Sequence, residues 1–237
     1  MYPKYTDSDV GAVSQSVSSI QANFITKVYG WMCFALVMTA GVSLAVASTP
    51  ALIKMIMGNQ ILFFGLIIGE LAMVWILVGA INKMSAHTAT AMFIAYSALN
   101  GLTLSVIFLA YTASSITSTF FITAGTFGAM SLYGYVTKRD LTSVGNLCFM
   151  CLIGAIIAMV VNIFLQSSIL YWVISFAGVA IFVGLTAYDT QRIKEMATSV
   201  EGNFESGRKG AVLGALALYL DFINLFIFLL RIFGGRR

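Results

Sequence analysis

Long apolar segments separated by short polar ones make up most of the chain after residue 27. Their residues do not alternate between apolar and polar, as membrane β-strands would. Each segment has about 20 residues, the length at which a helix crosses the ~30 Å hydrocarbon core of a bilayer. The pattern therefore predicts an all-α, polytopic membrane protein with seven transmembrane helices. The expected spans are residues 28–48, 61–81, 88–111, 116–136, 144–165, 168–189 and 211–232.

Residues 1–27 have a different character, because Ser, Gln and Asp are frequent there. This segment lacks the apolar region of a cleavable signal peptide. We expect a polar N-terminal tail, flexible or lying at the membrane interface, followed by a transmembrane domain over 28–237. The connection 190–210 is the one long connection between spans, and it holds most of the extramembrane charge.

Composition agrees with a membrane protein. Hydrophobic residues make up 59% of the chain and charged residues only 9%, with a net charge of +4. Soluble domains carry about 25% charged residues, so this chain has too few to cover a soluble surface. No basic patch is interleaved with aromatic residues, which argues against nucleic-acid binding. The lipid bilayer is the partner that the composition predicts.

The positions of Lys and Arg predict the orientation, because cytoplasmic connections carry an excess of them. With a cytoplasmic N-terminus, nine basic residues lie inside and four outside. The inside residues are Lys4, Lys27, Lys83, Lys138, Arg139, Arg192, Lys194, Arg208 and Lys209, and the outside ones are Lys54, Arg231, Arg236 and Arg237. Seven full spans then place the basic C-terminus outside. If the last span turned back within the membrane, twelve basic residues would lie inside and one outside. We nevertheless favour seven full crossings.

Three acidic residues lie within the expected spans: Glu70, Asp189 and Asp221. A charge at the bilayer centre costs about 2.5 kcal/mol or more, so each acid must face water, find a partner or stay protonated. Glu70 and Asp221 are expected at similar depth, with Asp189 nearer the cytoplasm. This order suits a path for a hard cation such as calcium, which binds several oxygens. Three protonated or hydrogen-bonded structural acids are the alternative, and the residues leave both interpretations open.

Helical spacing predicts the direction of Asp221. Gly210, Gly214, Ala217, Asp221 and Asn224 recur at steps of three to four residues, which places them on one face of a helix. Small residues that accompany an acid and an amide are typical of a face packed inside a bundle.

Asp189 ends the sixth span, and Arg192 follows it by one helical turn. A local ion pair between these two residues is therefore one interpretation of Asp189. The other is that Asp189 belongs to the expected cation path.

The last two spans carry the motifs "GLTAYDTQRIKEM" and "LYLDFINLFIFLLRIFG". They resemble the Bax inhibitor-1 family, and in particular its bacterial inner-membrane branch, as do residues 96–112 and 131–145. The resemblance implies a seven-helix fold in which the other helices surround the last, in the inner (plasma) membrane. The outer location of the C-terminus, which follows from seven full spans, is then periplasmic. The resemblance also implies a pH-sensitive calcium leak, in which Asp189 and Asp221 share protons, transiently bind Ca²⁺ and form an ion pathway with Glu70.

One feature departs from the calcium-leak members, which hold the aspartate pair with an arginine near the inner end of the second span. This chain has no Arg or Lys between Lys54 and Lys83. Lys83, Arg192 and Asn224 are the candidates for a latch or partner. The ammonium group of Lys83 cannot replace a guanidinium that binds a carboxylate through two hydrogen bonds. Without the arginine latch, we do not predict whether the leak rises or falls with pH.

Two other classes of function compete with a cation leak. Intramembrane aspartyl proteases also carry two aspartates on consecutive spans, but their GxGD motif is replaced by "LYLD" at 218–221. With no zinc spacing and no phosphate-binding loop either, we expect no enzymatic activity, no catalytic residue and no cofactor apart from Ca²⁺ as the permeant ion. The second alternative is a regulator that transports nothing and binds other membrane proteins, or a membrane protease, in quality control or stress protection.

Overall fold

The computed structural model describes residues 7–200 and 203–235, with side chains from residue 17 onward. Within these ranges the chain is helical and contains no β-strand. The helices are α1 (Asp7–Ala47), α2 (Pro50–Gly58), α3 (Gln60–Ala80), α4 (Ala86–Leu104), α5 (Ile107–Ala110), α6 (Ala113–Val136), α7 (Thr142–Leu165), α8 (Ser168–Ser199) and α9 (Phe204–Phe233), with a 3₁₀ turn at Ile81–Lys83.

The helices follow the expected spans with three differences. The segment 88–111 is divided between α4 and α5, and the connection after the first span contains the short helix α2. The polar connection 190–210 is largely helical, because α8 continues to Ser199 and α9 begins at Phe204. Few residues therefore separate these two long helices, which brings them together as antiparallel neighbours.

The polar N-terminal segment is helical from Asp7 and continues into the first span as one helix, α1. Residues 1–6 of the expected tail lie outside the described residues. Phe24, Val28, Met32 and Ala35 are buried. Their spacing of three to four residues places them on one face of α1, which packs onto the bundle.

Among the described residues, six helical segments are long and apolar enough to cross a membrane. They are Val17–Ala47, Gln60–Lys83, Ala86–Ala110, Thr142–Leu165, Ser168–Ser199 and Phe204–Phe233. Helix α6, which corresponds to the expected span 116–136, is not one of the six. Its first half is rich in Ser and Thr, which lowers its apolar character without shortening it.

Helix α9 is the most buried of these six segments. In its most apolar window 67% of the residues are buried, against 39% in α8 and 6% in α3. It packs against α1, α4, α6 and α8. Glycines permit the close approach of α8 to its neighbours: a Cβ on Gly178 would lie 2.6 Å from the Phe228 ring, and Gly134 lies against the backbone of Ala187.

Hydrogen bonds fix the two ends of the bundle. At one end, Gln191 of α8 donates from Nε2 to the Arg139 carbonyl and accepts from the Leu141 N–H, both at 2.8 Å. At the other end, the Gly235 N–H donates to Ser115 Oγ at 2.9 Å. Helix α9 begins close to the first end and finishes at the second, so it runs the length of the bundle without turning back.

Candidate functional site

Asp221 lies in the middle of α9 and is only 4% exposed. Its carboxyl group contacts the carboxyl group of Asp189 on α8. Asp189 is half-buried, because it lies closer to the end of the bundle where α8 emerges. The structure thus brings together the two aspartates that the sequence singled out.

The carboxyl group of Asp221 lacks a complete set of hydrogen bonds. Its Oδ2 atom is buried and has no hydrogen-bond partner in the part of the chain that is described. Two carboxylates in contact repel each other in a medium of low dielectric constant, so such a pair holds a shared proton or a cation between its oxygens. An oxygen without a donor beside a second carboxyl group is suited to either.

Several neutral polar side chains lie on or against this part of α8. Thr186 and Thr190 on α8 donate to carbonyls of their own helix, at 2.7 and 2.8 Å. The Tyr29 hydroxyl of α1 lies 3.4 Å from Thr190 Oγ1. Cys148 of α7 is close enough to Asp221 for the two groups to interact electrostatically. The hydroxyl oxygens retain lone pairs and can contribute neutral ligands to a hard cation.

The three expected partners of the aspartates are placed differently. Arg192 is exposed; its charge acts on Asp189, but the two residues do not form a salt bridge. Lys83 is exposed in the 3₁₀ turn after α3. Asn224 donates to the Leu220 carbonyl of its own helix at 2.8 Å. In the described ranges the one salt bridge is Lys209–Glu205, on the surface of α9, so no basic side chain latches the pair.

Glu70 does not join the aspartates and instead forms its own polar cluster between α3 and α4. Thr103 Oγ1 donates to Glu70 Oε1 at 2.6 Å, and Asn100 Nδ2 donates to Oε2 at 3.4 Å. Asn100 is 8% exposed, and its Oδ1 atom has no hydrogen-bond partner among the described groups. The half-buried carboxyl group of Glu70 is thus held by neutral donors.

A second hydrogen-bonded group joins α1, α4 and α9. Thr39 Oγ1 lies 2.7 Å from the Tyr219 hydroxyl and donates to the Ser97 carbonyl at 2.8 Å. The Tyr219 ring packs edge-on against Tyr96, with centroids 5.8 Å apart. Tyr219 precedes Asp221 by two residues, and side chains at this spacing point to different sides of a helix. This hydrogen-bonded group therefore belongs with the Glu70 cluster rather than with the aspartates.

Sequence reasoning concentrated on acids and missed the neutral members of these clusters. Asn100 and Thr103 are three residues apart in an otherwise apolar stretch, which places them on one face of α4. An amide and a hydroxyl at this spacing indicate a polar face on α4, but they do not specify that Glu70 of α3 lies against it.

The acids do not assemble into one metal centre. Across residues 7–200 and 203–235, no three His, Cys, Asp or Glu side chains converge closely enough to hold a metal ion. A calcium ion bound by Asp189 and Asp221 would therefore take its other ligands from neutral oxygens, which suits transient rather than tight binding.

Comparison with known proteins assigns the family. The family described as "Inhibitor of apoptosis-promoting Bax1" matches residues 21–237. The chain belongs to this family, Bax inhibitor-1. It is 53% identical over 215 residues to "Inner membrane protein YbhL" of Escherichia coli K12, covering 90% of this chain and 92% of that protein. These matches and the six apolar helices establish a multi-pass membrane protein.

Similar proteins occur in distant bacteria. A protein of Borreliella burgdorferi is 47% identical over 218 residues, covering 92% of this chain and 94% of its own length. "Uncharacterized membrane protein M6_Spy0327" of Streptococcus pyogenes is 39% identical over 232 residues, covering 97% and 96%. The likeness to Bax inhibitor-1 proteins thus extends over almost the whole chain, the aspartate-bearing helices included.

Proposed function

We propose that this protein is a passive leak pathway for calcium or other cations in the bacterial inner (plasma) membrane, and that the pair Asp189–Asp221 senses pH. The observation that carries the proposal is the contact between these carboxyl groups on α8 and α9. The pair binds a proton at low pH and becomes ionised as pH rises, and ionisation forces two like charges apart. A change in the packing of α9 follows from that repulsion.

The proposed topology has seven crossings, with α6 as the fourth and α9 surrounded by the other helices. The length of α6 (Ala113–Val136) and the burial of α9 support this arrangement. The N-terminus is cytoplasmic, in agreement with the distribution of Lys and Arg, and the C-terminus is periplasmic. The protein has no enzymatic activity in this proposal, and Ca²⁺ is its permeant ion rather than a resident cofactor.

The aspartate pair works without a basic latch in this proposal. Arg192 is the cation nearest to it along the chain, and it acts on Asp189 only at a distance. Closure therefore depends on the proton that the two carboxyl groups share and on the fit of α9 against α8. Glu70 contributes a separate acidic position along the pathway, held by Thr103 and Asn100.

The test is calcium flux into proteoliposomes between roughly pH 6 and 8, a range in which coupled carboxyl pairs can titrate. Wild-type protein is compared with Asp221→Asn. We expect flux that depends on pH in the wild type and a flat profile in the variant, because a lone Asp189 has no second carboxyl group with which to share a proton. Circular dichroism and gel filtration check that both proteins are folded.

Two control variants sharpen this test. Hydrogen bonds from the Thr142 side chain and backbone N–H hold the pKa of exposed Asp140 below its usual value, so Asp140 stays ionised and Asp140→Asn should leave the pH profile unchanged. Glu70→Gln should change the size of the flux but not its pH midpoint, since Glu70 does not contact the pair.

Folded wild-type protein that passes no cation at any pH would contradict the leak. The acids would then be structural, and a non-transporting regulator of membrane protein quality control would become the better hypothesis. That regulator predicts loss of function on deletion of residues 1–27 while Asp221→Asn remains active.

A further inference from the structure

A cavity of about 520 Å³ lies between the first and last helices, away from the aspartate pair. It is formed by α1, the end of α8 and the beginning of α9. Phe24, Trp31, Ala197 and Ala211 provide apolar walls, while Lys27 and Arg208 provide the charged groups. The cavity lies at the end of the bundle that the sequence predicts to be cytoplasmic.

Among the described residues that line the cavity, both charged side chains are basic. Lys27 comes from α1 and Arg208 from α9, and no acidic side chain among the described residues lines the cavity. Neither residue forms a salt bridge within the described ranges, where Lys209 rather than Arg208 pairs with Glu205. Two cations from different helices that converge without an acid make a site that attracts an anion.

The walls indicate that the anion has an apolar part. Lys27 stands at the start of the first span and Trp31 one turn further in, and Trp rings prefer the headgroup level of a bilayer. Phe24 is 7% exposed, and its ring borders Gly210 of α9. A ligand in this cavity thus meets basic groups at its polar end and aromatic or aliphatic groups below, at the depth where lipid headgroups join their chains.

We propose that this cavity binds the phosphate group of an anionic phospholipid of the cytoplasmic leaflet. The phosphate contacts Lys27 and Arg208, and the glycerol end of the lipid lies against Trp31. A soluble phosphate would need the same cations but would leave the apolar walls unused, which is why a lipid is the better fit. Binding bridges α1 to α9, the helix that carries Asp221.

The experiment titrates purified full-length protein in neutral detergent micelles with phosphatidylglycerol, and native mass spectrometry measures the affinity for the first bound lipid. Each basic residue near an anionic lipid contributes about 1 kcal/mol, so a lost charge should weaken binding about five-fold. We expect roughly a 25-fold loss for Lys27→Gln/Arg208→Gln. Lys27→Arg/Arg208→Lys keeps both charges and should bind as the wild type does.

A matched control removes the same charge elsewhere at this end of the bundle. Lys138 and Arg139 are exposed in the connection between α6 and α7 and do not line the cavity. Lys138→Gln/Arg139→Gln should retain wild-type affinity. An equal loss in this control, or equal binding of phosphatidylcholine by the wild type, would overturn the proposal, because binding would then follow net charge or hydrophobicity alone.

A second measurement uses the wild-type cavity and does not depend on the folding of charge variants. Trp75→Phe/Trp172→Phe leaves Trp31 as the one tryptophan, since the chain has three. Brominated phosphatidylglycerol at a low fraction in phosphatidylcholine vesicles should quench Trp31 more than brominated phosphatidylcholine does. Equal quenching by both brominated lipids would rule out a lipid site. Loss of the difference between them in millimolar inorganic phosphate would also rule it out, and would indicate a site for soluble phosphate.

Discussion

Helices α3 and α9 look alike in sequence and occupy opposite environments. Both are long and apolar, both carry one acid near the middle, and both contain two glycines four residues apart. In its most apolar window α9 is 67% buried, whereas α3 is 6% buried, and Leu77 is the one buried residue of α3. Apolar character therefore predicts that a segment lies in the membrane but not whether it faces lipid or protein, because lipid chains are as apolar as a protein core.

The glycines show the same contrast. A Cβ on Gly214 of α9 would lie 3.1 Å from Ile193 and 3.4 Å from Val28. A Cβ on Gly65 of α3 would meet nothing within 4 Å. Small residues at a spacing of four thus permit close packing between helices, but the motif does not establish that a partner helix is present.

Replacing Gly214 by Leu should produce the largest effect in this comparison. The new side chain would be forced between Ile193 of α8 and Val28 of α1, and overpacking of this kind costs about 1–3 kcal/mol or more. We expect a loss of about 3 kcal/mol in the free energy of unfolding, measured by denaturant titration in mixed micelles. Gly65→Leu is the control, and its free energy of unfolding should fall by less than about 1 kcal/mol, because the new side chain enters lipid. Equal losses in the two variants would mean that α3 is packed against protein.

The aspartate pair could be predicted from sequence because acids are rare and costly in a membrane. Three acids in the spans attract attention, and the family resemblance matched two of them to each other. The stripe that contains Gly210, Gly214 and Asp221 did not by itself determine the direction of Asp221. Ala217 and Asn224 of the same stripe are only half-buried, while residues on other faces of α9 are buried, so the stripe does not coincide with the most buried face of the helix.

The partners of Glu70 could not be predicted in the same way. The expected pathway included Glu70 because of its depth and because the family resemblance implied an acid on the second span, and neither argument specifies which neighbouring helix the residue faces. Helix α3 packs against α4, so Glu70 meets Thr103 and Asn100 instead. Tertiary packing decides this, and single-sequence periodicity carries little information about which helices are neighbours.

The hydrogen bond between Thr103 and Glu70 should produce an effect of intermediate size. Interhelical hydrogen bonds in membranes contribute about 0.6 kcal/mol on average and at most about 1.7. The 2.6 Å distance between Thr103 Oγ1 and Glu70 Oε1 favours the upper part of this range. Thr103→Val should therefore lower the free energy of unfolding by about 1 kcal/mol in mixed micelles.

A double-mutant cycle separates this bond from simple loss of a polar group. Thr103→Val, Glu70→Leu and the double variant are unfolded under the same conditions; Leu has no acceptor for the Thr103 hydroxyl, whereas Gln would keep one. We expect a coupling energy of at least about 0.5 kcal/mol between the two sites, as for residues in contact. Thr117→Val on the exposed surface of α6 is the matched control, and its effect should add to that of Glu70→Leu. If the effects of Thr103→Val and Glu70→Leu were also additive, the hydrogen bond would be contradicted.

The smallest effects are expected at two glycines of α3, Gly65 and Gly69. Gly69→Ala would place a methyl group 3.7 Å from Leu99 Cδ2 of α4, an ordinary van der Waals contact. Replacing Gly by Ala inside a helix is favourable by about 0.5–1 kcal/mol, and the new contact adds slightly to this gain. Gly65→Ala gains the same helix stability without the new contact. In mixed micelles, the free energy of unfolding of both variants should be at least that of the wild type, and that of Gly69→Ala should be slightly higher than that of Gly65→Ala. A destabilised Gly65→Ala would mean that a second protein surface covers this face of α3, and the contrast with α9 would then hold only for the isolated chain.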